Sequence, residues 1–232
     1  MRRFALVFLI AFPIACDHSS TASPRPSEVP DATVTAQKEE IRYLALGDSF
    51  TIGTGNPPSQ AFPARLAERW RAAGRTVTLK NLGVNGYTTD DLTARELPEV
   101  KPFAPTLVTL AIGANDRVRG TPVDVYRAHV KSILKAIVDA GVTPKQLVSL
   151  PQPDWSLSPA ASSFGEPAAI GADIVKFNGA LKEETEAIGA RYIDLFPLMH
   201  KQAEAKMLAK DGLHPNAQAH DEWAAELFKS LP

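Results

Sequence analysis

The amino-acid sequence predicts an α/β fold around a short parallel sheet of about five strands. Three observations lead there. From residue 41 onward, short apolar runs alternate with amphipathic stretches of helical period. Turn residues separate the two kinds of segment. Several chemistry-bearing polar residues fall just after apolar runs, where open parallel sheets place their ligands. The expected strands are 43–46, 77–82, 107–112, 146–150 and 191–195. Phe62, Leu66 and Trp70 mark a first helix that ends near Gly74. A second, over 122–140, carries Tyr126, Val130, Ile133, Leu134 and Ile137 at helical spacing. Thr121 is its expected cap, Pro122 suits its first turn, and Gly141 stops it. A third, over 170–188, sets Ile174, Phe177 and Leu181 on one face and ends at Gly189. The last follows Pro215 and buries Trp223 and Leu227.

The first 40 residues have a different composition. Arg2 and Arg3 precede an apolar run over 4–14, which is too short to span a bilayer comfortably and reads as an export signal over 1–15. Cys16 is the only cysteine among the 232 residues. It sits where a lipoprotein signal places its lipidated cysteine, although Pro13 stands where leucine is usual. The competing reading is an incidental cysteine in a discarded peptide. Residues 16–40 contain Pro24, Pro26, Pro30, many Ser and Thr, and no aromatic side chain. Such a segment lacks the apolar surface to offset its ordering entropy and reads as a linker. A flexible chain of that length spans roughly 25–30 Å. The folded domain is expected over 41–232, exported and held to a membrane through lipid on Cys16, facing the periplasm or cell exterior.

Losing Arg2 and Arg3 takes the 25 basic residues to 23 against 26 acidic ones, a net charge of −3. That mild balance argues against a nucleic-acid partner. A lone cysteine excludes an internal disulfide framework, so the domain must stand on its core.

The apolar run Tyr43-Leu44-Ala45-Leu46 delivers Gly47-Asp48-Ser49 at its end. A serine hydroxyl is a weak nucleophile until a base stands beside it, and a strand end is a rigid place to hold one. The alternative role for Ser49, expected to be exposed at a strand–helix turn, is a helix N-cap. Far downstream lies Asp211-Gly212-Leu213-His214-Pro215. Its spacing lets the Asp211 carboxylate fold back on His214 Nδ1 and leaves Nε2 for the serine. Two polar loops lie between, Asn81-Leu82-Gly83-Val84-Asn85-Gly86 and Gly113-Ala114-Asn115-Asp116. Asn115 is also a plausible turn residue, and Gly86 a plausible glycine of positive φ. Together the four blocks point to acyl transfer through serine.

In this order, Gly-Asp-Ser, Asn-x-x-x-x-Gly, Gly-x-Asn-Asp and Asp-x-x-His-Pro resemble the GDSL esterases and lipases of the SGNH hydrolase superfamily. The resemblance runs from about Arg42 to the C-terminus. Phe50 departs from it, standing where the family name implies leucine. The resemblance implies a flavodoxin-like three-layer α/β/α sandwich and a Ser-His-Asp triad of Ser49, His214 and Asp211. It also implies oxyanion donors from the Ser49 backbone N–H, the Gly86 backbone N–H and the Asn115 side chain.

Asp48, Asn81, Asn85, Thr88 and Asp116 are expected to brace these loops. His129 and His200 show no partner pattern, and His220 reads as a partly buried structural residue near Trp223. Gly53-Thr54-Gly55 fails as a nucleotide loop because Pro58 occupies the third glycine position. No motif for a cofactor or metal is found. Trp155 and Phe164 lie in a Pro/Ser-rich segment that begins at the same sheet edge, over 151–167. They read either as a wall of the acyl site or as pins for a long loop. The expected activity is ester hydrolysis on a small-molecule, lipid or glycan ester. An acyltransferase or glycan O-deacetylase on the same fold is the alternative. A lipoprotein that binds without turnover is the reading from another class.

Overall fold

The computed structural model describes residues 40–231 of the chain. The expected leader over 1–15, Cys16 and nearly all of the linker over 16–40 lie outside the described residues.

Five strands form one parallel sheet: β1 (Ile41–Gly47), β2 (Val77–Asn81), β3 (Leu107–Ala111), β4 (Leu147–Ser149) and β5 (Arg191–Tyr192). Their order is β2-β1-β3-β4-β5, the flavodoxin-like arrangement whose ligand crevice opens between β1 and β3. Nine helices surround the sheet among the described residues. They are α1 (Ser49–Ile52), α2 (Phe62–Ala72), α3 (Thr89–Arg95), α4 (Val100–Phe103), α5 (Ala114–Val118), α6 (Val123–Asp139), α7 (Pro167–Ala187), α8 (Phe196–Glu204) and α9 (Ala217–Ser230).

Strand alternation divides the core into two layers. Ile41, Tyr43 and Ala45 pack with Phe62, Leu66, Trp70, Trp223 and Leu227, from α2 and α9. Leu44 and Leu46 face the other way, onto Leu92, Tyr126, Val130, Ile133 and Phe177, from α3, α6 and α7. Burial on both faces explains why β1 and β3 read as continuous apolar runs. A third apolar cluster (Phe50, Ala114, Trp155, Ala161, Ile170, Ile174) forms at the carboxyl end of the sheet.

Some boundaries differ from the sequence reading. Thr121 is not the cap of α6, because the chain turns at Pro122 and the helix begins at Val123 with no side-chain cap bond. Strand β5 ends at Tyr192, where Asp194 accepts the Phe196 N–H at 3.0 Å and opens α8. Helix α3 was not foreseen, yet Thr88 and Asp91 close a capping box at its start.

Candidate active site

The turn that carries Ser49 is fixed by glycine and by its neighbours. Gly47 ends β1 at φ +151°, and a Cβ there would sit 2.2 Å from the Ala111 carbonyl oxygen. No other residue fits so close a backbone approach. Asp48, not Ser49, caps α1: its Oδ1 accepts the Phe50 N–H at 3.0 Å. The cap reading of Ser49 therefore lapses. Ser49 is also more sheltered than expected, only 5% exposed, because Phe50 and the surrounding loops close around it.

The loop after β2 packs against this turn. Asn81 Nδ2 donates to the Thr51 carbonyl at 2.9 Å, and Asn81 Oδ1 accepts the Gly83 N–H at 3.0 Å. The Val84 N–H reaches the Gly47 carbonyl at 3.3 Å. Gly86 adopts φ +84°, the conformation that favours glycine, and Arg119 Nη2 donates to its carbonyl at 3.0 Å. After β3, Gly113 leads into α5 and leaves room for the Tyr126 ring, whose hydroxyl donates to the Ile112 carbonyl at 2.8 Å. Asn115 Nδ2 donates to the Tyr87 carbonyl at 2.9 Å, which ties the third catalytic loop to the second. The amide has a second hydrogen to offer. Asp116 braces the same corner by accepting the Thr89 N–H at 3.0 Å and the Thr89 hydroxyl.

The histidine loop is held by backbone pairing. Leu208 bridges Pro215, and the Ala209 N–H donates to the His214 carbonyl at 2.7 Å. Asn56 Nδ2 donates to the Pro215 carbonyl at 2.9 Å. Gly55 allows close packing, since a Cβ there would fall 2.7 Å from the Ala209 methyl. Asp211 Oδ1 accepts the Leu213 and His214 N–H groups at 2.9 and 3.0 Å, and Oδ2 lies 2.8 Å from His214 Nδ1. Burial alone would raise the Asp211 pKa, but these N–H donors and the His214 ring outweigh it and hold the carboxyl below its ordinary range. The imidazole stands 5.3 Å from the Phe50 ring, so Phe50 packs against His214 where the sequence departs from leucine.

These loops converge on a cavity of about 300 Å³ lined by Ser49, Gly86, Asn115 and His214 together with the apolar Phe50, Val118, Trp155 and Phe164. Trp155 and Phe164 meet edge to face at 5.8 Å. Trp155 also pins its own loop, through Nε1–H to Gln152 Oε1 at 3.1 Å. The segment thus lines the cavity and is also pinned to the domain.

Three features escaped the sequence. Arg117 lies under the wall: Nη1 donates to the Phe164 carbonyl at 3.0 Å, Nε lies 3.4 Å from Asp173 Oδ2, and its guanidinium faces the Trp155 ring at 5.8 Å. His200 does have a partner, Asp154, at 2.8 Å, and His129 Nδ1 lies 2.9 Å from the Thr89 hydroxyl. His220 is fully buried between Phe62 and Trp223, and that burial lowers its pKa to about 4. The third feature is acidic. Asp48 and Glu96 are buried behind the nucleophile turn, and burial pushes their pKa values up to about 7 and about 8. Asp116 adds to the rise in Asp48, and Asp48 adds to that in Glu96. Burial likewise raises Asp116.

Residues 45–222 match the GDSL-like lipase/acylhydrolase family. An arylesterase of Vibrio mimicus is 26% identical over 193 residues, covering 82% of this chain and 88% of that protein. Thioesterase 1/protease 1/lysophospholipase L1 of Escherichia coli K12 is 24% identical over 195 residues, covering 81% and 83%. Among solved structures, a lipase/acylhydrolase from Enterococcus faecalis superposes with a TM-score of 0.67 at 23% identity, over 81% of this chain and 93% of that one. An acetylxylan esterase from Geobacillus stearothermophilus gives 0.66 at 19%, over 83% and 94%. With most of its length matched and the four motif loops gathered at one sheet edge, the chain belongs to the GDSL-like lipase/acylhydrolase family, a family of carboxylic ester hydrolases.

Proposed function

We propose that this chain cleaves esters through an acyl-enzyme on Ser49. His214 Nε2 takes the Ser49 proton as Oγ attacks the ester carbonyl. The Ser49 N–H, the Gly86 N–H and the Asn115 amide receive the negative charge that develops on the carbonyl oxygen. His214 then protonates the departing alcohol, and a water molecule repeats the sequence on the acyl-enzyme. Asp211 keeps the imidazole in the required tautomer and offsets its transient positive charge. The observation that carries this reading is the single cavity shared by Ser49, Gly86, Asn115 and His214, four residues from four separate loops.

Its volume of about 300 Å³ lies at the small end of small-molecule sites. Phe50, Val118, Trp155 and Phe164 make much of its lining apolar. This supports small-molecule esters with a short acyl or aryl group, in keeping with the names of the arylesterase and acetylxylan esterase relatives. A serine-reactive phosphonate tests the assignment. It should add its mass to the peptide containing Ser49, abolish hydrolysis of a reporter ester, and leave Ser49→Ala unlabelled. Labelling elsewhere, or full turnover by Ser49→Ala, would reject it.

We also propose that the domain is exported and held to a membrane by lipid on Cys16. Among the described residues no helix is long and apolar enough to cross a membrane. A fatty-acid analogue should label the wild-type protein and spare Cys16→Ser. Absence of label on the wild type would defeat the anchor and leave the esterase reading intact.

A further inference from the structure

The nucleophile turn is gripped from behind by an acid that belongs to no catalytic motif. Glu96 follows α3 and is only 2% exposed. Its Oε2 accepts the Gly47 N–H at 2.9 Å, while Oε1 is buried with no hydrogen-bond partner among the described residues. On the other side of the same glycine, the Gly47 carbonyl accepts the Val84 N–H from the second catalytic loop at 3.3 Å. One residue, Asp48, separates this glycine from Ser49. Gly47 is thus held between Glu96 and the loop that carries Gly86.

We propose that Glu96 is a positioning residue for Ser49, acting as a neutral acid whose ionisation disables the nucleophile turn. The inference rests on the esterase reading above. Oε1 is buried, and among the described residues no cation pairs with Glu96 within 4.0 Å. An uncompensated charge there is costly, so the folded protein keeps the proton. The field of Asp48 opposes the ionisation of Glu96. Asp116, from α5, opposes that of Asp48 in turn. From α6 come Tyr126, with its hydroxyl on the Ile112 carbonyl, and His129, beside Thr89 and Asp90. The cation near the following turn, Lys80, is spent on Glu99 at 2.6 Å. Burial places the titration of Glu96 at about 8. Charge then appears behind Ser49 under mildly alkaline conditions, where a serine–histidine pair alone would hold its rate.

The test compares Glu96→Gln and Glu96→Ala with the wild type in kcat, KM and melting temperature across pH 6–10. Glutamine still accepts the Gly47 N–H but cannot ionise. It should rescue turnover at neutral pH and move the alkaline decline in kcat upward by at least about one pH unit. Alanine removes the acceptor, and kcat should fall roughly 10- to 100-fold with KM little changed. Glu96→Gln that keeps the wild-type alkaline decline would overturn the proposal, as would Glu96→Ala with wild-type kcat. If Glu96→Ala does not fold, the glutamine profile decides alone. A wild-type protein with no ester turnover would defeat the esterase reading instead. In that case an alkaline gain in melting temperature for Glu96→Gln would show a device of stability only, and the positioning role would fall.

Discussion

Among the described residues two histidine–aspartate pairs have the same bond length, and only one shares a cavity with Ser49. In each, Nδ1 lies 2.8 Å from a carboxylate oxygen. The His214 side chain is 10% exposed and lines the cavity with Ser49. The His200 side chain, on α8, is 44% exposed, and its Nε2 lies 3.6 Å from Glu204. Asp211 is fixed by two backbone N–H groups of its own loop. Asp154 instead accepts from the Ser156 N–H and hydroxyl and ties the Trp155 loop to α8. A carboxylate on Nδ1 is therefore insufficient. The second ring nitrogen must face a sheltered space that also holds a nucleophile.

The comparison breaks most sharply on removing the nucleophile or its base. Ser49→Ala and His214→Ala should each lower kcat roughly 10⁴- to 10⁶-fold, and the double variant should lose little more, because the groups act as a unit. Multiplicative losses in steady-state assays would argue against one shared mechanism. Next come the carboxylates. Asp211→Asn should cost about 10²- to 10⁴-fold in kcat, whereas Asp154→Asn should change it by no more than about threefold. Equal losses in the two variants would erase the distinction between the pairs.

A smaller effect is expected at the wall. Arg117→Met removes the bond to Phe164 and the pairing with Asp173. It should shift preference across a graded acyl series by about tenfold while acetate hydrolysis persists, since one methylene in an apolar pocket is worth about 1–3 kcal/mol. An unchanged profile would assign Arg117 to stability alone.

The smallest effects are in stability. His200→Ala should cost about 1 kcal/mol in denaturant unfolding, because His200 is half-exposed and the buried Asp154 keeps its bonds from Ser156. Asp211 has a lowered pKa in the folded protein, so its contribution is present above its ordinary value of 3.8 and is lost as pH falls through the lower folded value. Asp211→Asn should flatten that acid loss of melting temperature. Glu96 has the opposite sign. Its folded value is raised from 4.5 to about 8, so its contribution is full below 4.5 and is lost as pH rises through about 8.

What the sequence disclosed follows from how local each signal is. Strands β1 and β3 were legible because both faces are buried and the runs are largely apolar, Arg42 and Thr109 excepted. Ser49, Gly86, Asn115 and His214 were legible because short motifs place them at predictable strand and helix ends. Helix α3 was missed although Thr88, Asp91 and Leu92 mark its start. Glu96, beside Leu97-Pro98-Glu99, belongs to no motif in the sequence. Only the approach of α3 to β1 buries it. Arg117 and Asp154 find their partners on α7, α8 and the wall, and no local pattern announces such contacts.

The sheet order carries a consequence for redesign. The loops that bring Ser49, Gly86 and Asn115 to the cavity leave three adjacent strands, β1, β2 and β3, and the loop of His214 precedes α9. The wall leaves β4 and occupies a single stretch, 151–167. That stretch plugs into the rest of the protein at three sockets: Asn178, which exchanges bonds of 3.0 Å with Gln152 in both directions; His200, which receives Asp154; and Arg117, which receives the Phe164 carbonyl. It therefore has the form of a cassette. Grafts that keep Gln152, Asp154 and the buried Trp155 and Ala161, and leave a carbonyl for Arg117, can exchange the exposed residues between them. A library of such grafts explores which esters are accepted without disturbing the glycine-locked turn that presents Ser49.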